Sequence, residues 1–337
     1  MDINNLEKWY LKNHRMLSFR ETKDPYLIWV SEIMLQQTQV ESVLPFFERF
    51  IAKYPNVETL ADASEDALQK DVEGLGYYRR FRNMHKTAKM ILEKHSGLFP
   101  DTYEQIIELP GIGKYTAGAI MSIAHNKPFS ALDGNVIRVL SRYLGIDSNM
   151  RQEKNRRKLD NLNQEYIEKA NPSIYSQALM ELGAMICRPK NPKCEICPLE
   201  EHCVAYERDL TNLIPVLSRL KNKKIYHFIT LIIKTEYGIY LRKRDEKLLF
   251  GMYEYPQFEA ESIHSVLYEL ESKGIIIELT DENPTQYRHI FTHQIWMMDV
   301  YFAKTLSGKL KDWILVDQKR IMEIPMAIAH RKILFFD

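Results

Sequence analysis

Hydrophobic and polar positions along the chain follow two different periods. Up to about Tyr206 the apolar residues recur at helical spacing, with proline and glycine between the runs, as in Val30, Ile33, Val40, Leu44, Phe47 and Ile51. A lysine-bearing connector at residues 219–224 follows, and beyond it the period changes to two. The pattern therefore predicts a helical first two-thirds and a small α+β domain at the end.

The second part of the chain contains three predicted strands. They run from Tyr226 to Ile233, from Tyr237 to Leu241 and roughly from Gln294 to Ala303, and a helix is predicted between them at residues 262–273. No internal repeat is evident. These elements are too few for a large sheet protein and suit a small appended domain.

Composition narrows the class of protein. A chain of 337 residues with 45% hydrophobic content is long enough for two packed domains, and it has no long apolar span. The balance of 46 basic and 45 acidic residues excludes a polycation, so any nucleic-acid surface must be a local patch. The start at Met1 lacks the basic and apolar regions of a signal peptide, so we expect a reducing cytoplasmic location.

All the cysteines fall within one window of 17 residues. Their spacing is C-x6-C-x2-C-x5-C, formed by Cys187, Cys194, Cys197 and Cys203. Four thiolates this close together can share one metal centre, and their chemistry alone leaves structural zinc and an iron–sulfur cluster equally open. Two disulfides are not expected in a reducing compartment.

A glycine-containing turn precedes a predicted helix that begins near Thr116. Gly111 and Gly113 lie in the segment LPGIGKYTAG, where backbone N–H groups and a helix N-terminus can bind one phosphate. A tight turn between helices would use the same glycines for structural reasons alone. About twenty residues later, Asp133 and Asn135 stand in LDGNV at the start of another apolar helical run.

These motifs together resemble the helix-hairpin-helix DNA glycosylase superfamily with a [4Fe–4S] cluster, and within it the MutY branch of adenine DNA glycosylases. The segments SEIMLQQTQV (31–40), GLGYY (74–78) and LGAMIC (182–187) are also similar to that branch. The resemblance extends over nearly the whole chain. It implies that the four cysteines bind the [4Fe–4S] cluster.

The resemblance also implies the architecture. We expect a mostly α, two-lobed helical glycosylase domain at residues 1–208, a linker at 209–224 and a Nudix-like α+β domain at 225–337. The glycosylase domain would divide into a helical barrel module at about 25–133 and a cluster module made of 1–24 and 134–208.

Glu32 and Asp133 occupy the positions of the catalytic acids of this family. Glu32 lies among apolar residues of a predicted helix, where desolvation favours the protonated form that a general acid needs. Asp133 lies at a helix start that favours its anion, suited to stabilising a cationic sugar, and Asn135 would orient it. Spacing alone favours a solvated side chain for Glu32 and a plain N-cap for Asp133.

Tyr115 stands where bifunctional relatives resembling endonuclease III have a lysine nucleophile. A phenol cannot form the Schiff base that an amine forms with the sugar. The resemblance therefore implies a monofunctional glycosylase that leaves an abasic site, with Tyr115 helping to hold the sugar near Asp133.

Extrusion of a base from the duplex requires side chains that fill the gap, and Gln37 and Tyr77 are the candidates. Gln37 is expected on the same helical stripe as Ile33 and Val40, and the resemblance makes it an intercalating residue. Tyr77 would be a wedge beside phosphate-binding charge, although a core aromatic is the more common use of such a residue. That charge would come from Arg79, Arg80 and Arg82.

For the adenine pocket the resemblance indicates Gln177, Arg20 and Leu17. An amide such as that of Gln177 can donate to and accept from an adenine edge, although spacing alone favours a solvent-facing residue. The segment departs from the family pattern at Phe19, where tryptophan is typical.

The carboxy-terminal domain is expected to read the lesion and not to hydrolyse a nucleotide. Counting from Gly251, Gln257 stands where a working Nudix box needs its first glutamate. The segment Phe291, Thr292 and His293 resembles the Phe-Ser-His motif that reads 8-oxoguanine, with the threonine hydroxyl in place of serine. Its alternation with His289 would equally suit one face of a strand.

The expected function is removal of adenine mispaired with 8-oxoguanine or guanine in duplex DNA by a monomeric enzyme that does not bind membranes. Two other classes stay open. One is a bifunctional pyrimidine glycosylase and lyase, which the tyrosine at position 115 disfavours. The other is a noncatalytic lesion-binding module, in which the two acids would be structural residues only.

Overall fold

The computed structural model describes residues 1–218, 222–308 and 313–335 of the chain. Residues 219–221 of the predicted linker lie outside this described part. The chain forms two compact units, one made of Met1–Ala63 with Asn83–Arg219 and the other of Ser64–Arg82 with Leu220–Asp337. Among the described residues, no helix combines the length and the apolar character that crossing a membrane requires.

The first part of the chain is helical, as the sequence predicts. Short 3₁₀ turns at Ser18–Arg20, Cys194–Ile196 and Glu200–His202 accompany the α-helices. In chain order these helices are α1 (Ile3–Asn13), α2 (Pro25–Leu35), α3 (Val40–Lys53), α4 (Val57–Ala61), α5 (Glu65–Asp71), α6 (Arg79–His95), α7 (Tyr103–Ile107), α8 (Lys114–Ile123), α9 (Gly134–Leu144), α10 (Glu153–Ile167), α11 (Pro172–Met185) and α12 (Val204–Glu207).

Local signals fix where the site-bearing helices begin and end. The Asp24 carboxylate caps α2 by accepting from the amide of Tyr26 at 2.8 Å, and a proline follows at the first helical position. Helix α9 ends at Gly145, whose φ of +66° is left-handed. A Cβ there would lie 2.5 Å from a methyl of Val204, so only glycine allows this approach to the segment after the last cysteine.

The apolar stripe from Val30 to Ile51 is carried by two helices and not by one. Helix α2 ends at Leu35 and α3 begins at Val40, and Gln37 between them has a φ of +58°. The expectation that Gln37 lies on a helical stripe is therefore wrong. Because the break is about one helical turn long, the apolar spacing continues across it and conceals it.

The second unit is built on one mixed sheet, along whose main path the strands follow in the order 253–254, 238–243, 224–235, 294–307 and 276–279. The strands at 224–235 and 294–307 pair in parallel from Lys224↔Gln294 to Ile233↔Ala303. The three predicted strands and the predicted helix are all present, whereas the short strands were not predicted. The elements are β1 (Lys224–Thr235), β2 (Gly238–Lys243), β3 (Tyr253–Glu254), β4 (Gln257–Phe258), α13 (Ile263–Ser272), β5 (Ile276–Leu279), β6 (Thr285–Ile290), β7 (Gln294–Ser307), β8 (Ile314–Val316) and α14 (Ile328–Arg331).

Each face of this sheet has its own apolar core. Leu231 and Ile233 of β1 face one core together with Val266 of α13, while Ile232 faces the other core together with Trp296. The alternation follows from the period of two along a strand. The sheet is therefore covered on both faces.

The segment Ser64–Arg82 packs within this second unit although the unit's other residues lie far away in sequence. Asp66 of α5 pairs with Lys243 of β2 at 2.6 Å. Gly251, with a φ of +78°, lies so close to α5 that a Cβ would be 2.8 Å from Nε2 of Gln69. These contacts place the loop that carries Tyr77 on the same unit as the predicted lesion reader.

Candidate active site

Glu32 is a buried carboxyl on α2. It is 6% exposed, and the residues around it on the helix, including Trp29 and Ile33, are buried and apolar. Burial raises the pKa of Glu32 above its ordinary value, while a hydrogen bond from Tyr115 and the charge of Arg20 oppose the shift. The direction agrees with the protonated form expected of a general acid.

Tyr115 lies on α8 with its hydroxyl against Glu32. The hydroxyl donates to Oε2 of Glu32 at 2.5 Å, and it lies 4.0 Å from the sulfur of Met180. Burial and the neighbouring carboxylates raise the pKa of Tyr115 well above 10, so the phenol is neutral and acts as a donor. The phenol is thus hydrogen-bonded to Glu32 and lies in electrostatic range of Asp133, and its role in holding the sugar near Asp133 stays a prediction.

Asp133 is the N-cap of α9. Its carboxylate accepts from the amide of Val136 at 2.7 Å and from Nδ2 of Asn135 at 3.0 Å. Burial raises the pKa of Asp133, which departs from the expectation that the helix start alone would favour the anion; the two hydrogen bonds and the charge of Arg138 act in the opposite direction. Asn135 orients the carboxylate as predicted.

Arg138 continues this network and was not predicted. It donates to Oδ1 of Asn135 at 2.8 Å, to the carbonyl of Gly183 at 2.8 Å and to the carbonyl of Cys187 at 2.7 Å. Gly183 permits the approach because a Cβ there would lie 2.6 Å from Cβ of Asn135. Hydrogen bonds therefore connect Asp133 to the first cysteine. The available sequence signal was the i,i+3 spacing of Asn135 and Arg138 on one helix.

Glu181 on α11 is a fully buried acid that was not predicted to belong to the site. It accepts from Nε of Arg15 at 2.6 Å and lies 3.4 Å from Nη1 of Arg20. Burial raises its pKa, but the hydrogen bond from Arg15 and the charges of both arginines outweigh this and lower the pKa overall. Glu181 thus fixes Arg20, whose charge also acts on Glu32.

Gln177 is buried, contrary to the solvent-facing position that spacing favours. It is 6% exposed, and its Nε2 donates to the carbonyl of Ser173 at 3.1 Å. Its Oε1 is buried without a hydrogen-bond partner among the described residues. Gln177 shares a face of α11 with Met180 and Glu181, which contact Tyr115 and Arg20. An orphaned acceptor in a polar site suits a ligand donor.

The predicted pocket residue Leu17 is also interior, as is Phe19 on the 3₁₀ turn Ser18–Arg20, whereas the Arg20 side chain is 12% exposed. Leu17 is 5% exposed and Phe19 is 3% exposed. The Phe19 ring meets Phe47 edge to face with centroids 5.6 Å apart. The phenylalanine that replaces the usual tryptophan is therefore part of a packed apolar wall.

Gly111 and Gly113 form the turn before α8. Gly111 has a φ of +82°, and a Cβ there would lie 2.6 Å from Cβ of Asn83. Gly113 is the N-cap of α8 and has nothing within 4 Å of a Cβ position. The first glycine is required by the fold, and the second leaves open space in front of a helix N-terminus.

The predicted intercalating residues both have left-handed backbones. Gln37 is exposed between α2 and α3, and Tyr77 is 43% exposed with a φ of +49°. Of the arginines after Tyr77, Arg80 is buried and donates to the carbonyl of Leu75 at 3.2 Å, so it is structural and not a phosphate ligand. The left-handed backbone of Gln37 and Tyr77 is one that only a few per cent of residues with side chains adopt.

Phe291, Thr292 and His293 form the turn between β6 and β7. The amide of Phe291 donates to the carbonyl of Gln294 at 2.9 Å, and the Phe291 ring packs on Trp296. Thr292 and His293 are exposed, and the Thr292 hydroxyl is hydrogen-bonded to the hydroxyl of Tyr77. The motif is thus a hairpin tip and not one face of a strand.

The four cysteines are free thiols that line one pocket. Arg142, 2% exposed, lines it too and lies with Nη1 3.4 Å from the sulfur of Cys187. Among the described residues no three His, Cys, Asp or Glu side chains converge as ligands of one ion. Four cysteine side chains around one pocket are the donor set that a [4Fe–4S] cluster requires, with one thiolate for each iron.

Comparisons with known proteins identify the families to which this chain is similar. The profile of the HhH-GPD superfamily of base excision DNA repair proteins matches residues 30–165, that of the iron-sulfur binding domain of endonuclease III matches 187–203, and that of the NUDIX domain matches 229–335. A thermostable thymine-DNA glycosylase structure aligns with a TM-score of 0.56 at 29% identity, covering 61% of this chain and 95% of its own.

Fold and site together define a helix-hairpin-helix DNA glycosylase with a carboxy-terminal Nudix domain. Two adenine DNA glycosylases of Buchnera aphidicola are similar to the chain: 40% identical over 85% of this chain and 82% of the relative from the Acyrthosiphon pisum subspecies, and 38% over 95% and 93% for the Baizongia pistaciae subspecies. The chain belongs to the adenine DNA glycosylase family. Members of this family are base excision repair enzymes that hydrolyse N-glycosyl bonds. Its cofactor is a [4Fe–4S] cluster bound in the four-cysteine segment 187–203.

Proposed function

We propose that the chain is a monofunctional, monomeric enzyme that removes adenine mispaired with 8-oxoguanine or guanine in duplex DNA and leaves an abasic site. The observation that carries the proposal is the pairing of a buried, raised-pKa Glu32 with the neutral hydroxyl of Tyr115, in electrostatic range of Asp133. Two acids in different surroundings are what cleavage of a glycosidic bond requires.

Glu32 is the general acid. Its protonated carboxyl donates to the adenine ring as the C1′–N9 bond breaks, so the base leaves as a neutral molecule. A water molecule then adds its oxygen to C1′, and its proton returns to the Glu32 carboxylate. The hydrogen bond from Tyr115 stabilises that carboxylate between the two steps, because a neutral phenol donates to an anion more strongly than to an acid.

Asp133 stabilises the positive charge that develops on the deoxyribose, either as an ion pair or through a transient covalent adduct. Asn135 holds one of its oxygens at 3.0 Å and the Val136 amide holds the other at 2.7 Å. A carboxylate fixed in this way needs little reorganisation when the cation forms.

The absence of lyase chemistry follows from the residue at position 115. A lyase needs an amine that attacks C1′ and forms a Schiff base, and Tyr115 has none. The nearest amine in sequence, Lys114, is exposed at the first position of α8, whereas the Tyr115 hydroxyl reaches Glu32.

Adenine would be bound by Gln177, Arg20 and Leu17, with the unpaired Oε1 of Gln177 accepting from the exocyclic amino group. The open space at Gly113 would receive a phosphate of the backbone, next to Gly111. Gln37 and Tyr77 are the exposed side chains that would fill the gap left by the everted base.

The hairpin tip is the proposed reader of 8-oxoguanine. Thr292 offers a hydroxyl that can accept from the N7–H present in 8-oxoguanine and absent from guanine, and His293 stands exposed beside it. Phe291 anchors the tip on Trp296. The domain lacks the first glutamate of a hydrolytic Nudix box, since position 257 is Gln.

Cys187, Cys194, Cys197 and Cys203 are the proposed cluster ligands. When bound, the cluster supplies rigidity to the loop and takes no part in hydrolysis. The loop then presents exposed cations, Arg188, Lys190 and Lys193, to the DNA backbone.

One assay tests the reaction. Duplexes with A:8-oxoguanine, A:G or an oxidised thymine are incubated with the enzyme, and strand breaks are scored with and without alkali. Breaks at adenine that require alkali support the proposal. Alkali-independent breaks, or efficient borohydride trapping of enzyme on DNA, would overturn the monofunctional assignment, and release only of oxidised thymine would overturn the substrate.

A further inference from the structure

Glu73 and Arg331 form a buried ion pair within the second unit although 258 residues separate them in sequence. Nε of Arg331 donates to Oε1 of Glu73 at 2.7 Å, and Nη2 donates to Oε2 at 3.0 Å. The side chain of Arg331 is 10% exposed and that of Glu73 is 13% exposed. This two-point geometry is directional and is specific to a guanidinium facing a carboxylate.

The remaining donors of Arg331 are used as well. Nη1 donates to the carbonyl of Ile321 at 2.7 Å and lies 3.6 Å from the sulfur of Met322, and Nη2 donates to the carbonyl of Ile324 at 2.7 Å. The guanidinium therefore joins Glu73 to the backbone that leads into α14. Removal of Glu73 would leave the largely buried guanidinium of Arg331 without its carboxylate. Removal of Arg331 would leave Glu73 paired with Lys70 of its own segment, at 2.9 Å, and no longer tied to the segment before α14.

Glu73 lies four residues before Tyr77 in a short, tightly wound loop. Gly74, Gly76 and Tyr77 all have positive φ values, of 106°, 69° and 49°. The loop is closed by the amide of Gly74 donating to the hydroxyl of Tyr78 at 3.1 Å. Because this hydrogen bond restricts the loop, we expect a displacement of the Glu73 carboxylate to displace Tyr77 as well.

The Tyr77 hydroxyl meets the Thr292 hydroxyl at the hairpin tip. A second ion pair of this segment, between Asp66 and Lys243, has side chains 46% and 42% exposed and is expected to contribute little. Nη1 of Arg82 also donates to the carbonyl of Phe250 at 2.9 Å, at the far end of the segment from Glu73. Of these two ion pairs, that of Glu73 and Arg331 is therefore the one expected to fix the loop.

We infer that Arg331 is a positioning residue for lesion reading, which by holding Glu73 keeps Tyr77 against Thr292 and so sets the preference for 8-oxoguanine over guanine. The inference rests on the proposed function. The side-chain hydrogen bonds that Arg331 makes to oxygen among the described residues go to Glu73 and to the carbonyls of Ile321 and Ile324, so its effect on the hairpin tip is exerted through the loop. Its loss should therefore change discrimination between the two mispairs and not the hydrolysis itself.

The test compares the full-length holoenzyme with Arg331→Met, Glu73→Gln and the double variant, and with Arg320→Met as a matched control. Arg320 is a suitable control because its side chain is 72% exposed and its ion pair with Glu323, at 3.4 Å, lies at the surface. Single-turnover adenine release is measured from A:8-oxoguanine and from A:G duplexes. We expect the ratio of the two rates to fall about tenfold in each single variant, with no further fall in the double variant, and to be unchanged in the control.

A second measurement does not depend on catalysis. Hydrogen–deuterium exchange of the amides in residues 74–80 should accelerate in Arg331→Met and in Glu73→Gln, but not in Arg320→Met. Glu73→Gln keeps the shape of the side chain, so it tests the inference even if Arg331→Met folds poorly.

The outcomes separate the two proposals. A folded variant with normal exchange at residues 74–80 and an unchanged ratio would overturn the inference, and so would equal losses on both mispairs. If the wild-type enzyme released no adenine from either duplex, the proposed function would fail instead, and the exchange experiment would still decide whether Arg331 holds the loop.

Discussion

The Tyr115 hydroxyl donates a hydrogen bond of 2.5 Å to Oε2 of Glu32. This bond stabilises the carboxylate, so it works against the burial that raises the pKa of Glu32. Tyr115 thereby tempers the general acid: without it, Glu32 would hold its proton more tightly, and with it the proton can leave when the base requires it.

We predict that Tyr115→Phe shifts the pH profile of adenine release. The rate requires protonated Glu32 and falls as pH rises through its pKa. Because the lost hydrogen bond lowers that pKa, the variant's pKa is higher and the alkaline fall should move to higher pH. Single-turnover rates from pH 5 to pH 9 check this. A fall at unchanged or lower pH would show that the bond does not control the proton.

Glu32→Gln should reduce adenine release by roughly a hundredfold to ten-thousandfold, the usual contribution of a general acid. Asp133→Asn should have an effect of similar size, since it removes the charge that faces the cationic sugar. DNA affinity should remain close to that of the wild type. Glu41→Gln is the control, since Glu41 has a side chain 76% exposed. Normal rates in either variant would exclude that residue from catalysis.

Much of this site could be predicted from sequence because its signals are local. The cysteine spacing, the burial of Glu32 by its helical neighbours and the cap formed by Asp133 all depend on residues close in the chain. The break at Gln37 was missed because two helices continued one apolar period. The pairing of Glu73 with Arg331, by contrast, joins distant segments, and no periodicity or propensity reports such a contact.

Arg138→Met should lower adenine release by about tenfold, because Asn135 loses the donor that fixes it and Asp133 then loses its orientation. The carbonyls of Cys187 and Gly183 also lose a partner, so the visible absorption of the cluster per protein should decay faster in air. Arg156→Met is the control, with a side chain 46% exposed. An unchanged rate together with an unchanged absorption would show that Arg138 does not couple the cluster loop to the active site.

Glu254 should make the second unit sensitive to acid. This buried carboxylate contacts Arg242, Arg244 and His330, which together outweigh burial and bring its pKa down to about 2. A lowered pKa gives stability that is present above the ordinary value of 4.5 and is lost as pH falls towards about 2. The shift corresponds to about 3 kcal/mol.

Glu254→Gln should therefore lower the free energy of unfolding of this unit at pH 7 by roughly 3–5 kcal/mol, since it removes the buried counterion of Arg244, whose other partner, Glu246, has a side chain 44% exposed. The difference from the wild type should shrink below pH 4.5. Urea unfolding monitored at pH 7 and pH 3 measures it, with the exposed Glu323→Gln as control. A difference that stayed constant over this range would contradict the assignment.

Substitution of the two glycines in the turn before α8 should affect different properties, with stability reduced more at Gly111 and DNA binding reduced at Gly113. Gly111→Ala forces a side chain into a φ of +82° and against Asn83, so it should cost about 1–3 kcal/mol of stability. Gly113→Ala meets no protein atom within 4 Å, so its cost in stability should be limited to the weaker N-cap of α8, about 1 kcal/mol or less. If a phosphate occupies that open space, however, the added methyl should weaken binding to every duplex. Because no charge is removed, the dependence of affinity on salt should stay the same. Thermal unfolding and duplex binding at several salt concentrations test both variants, and full affinity in Gly113→Ala would remove the phosphate from this turn.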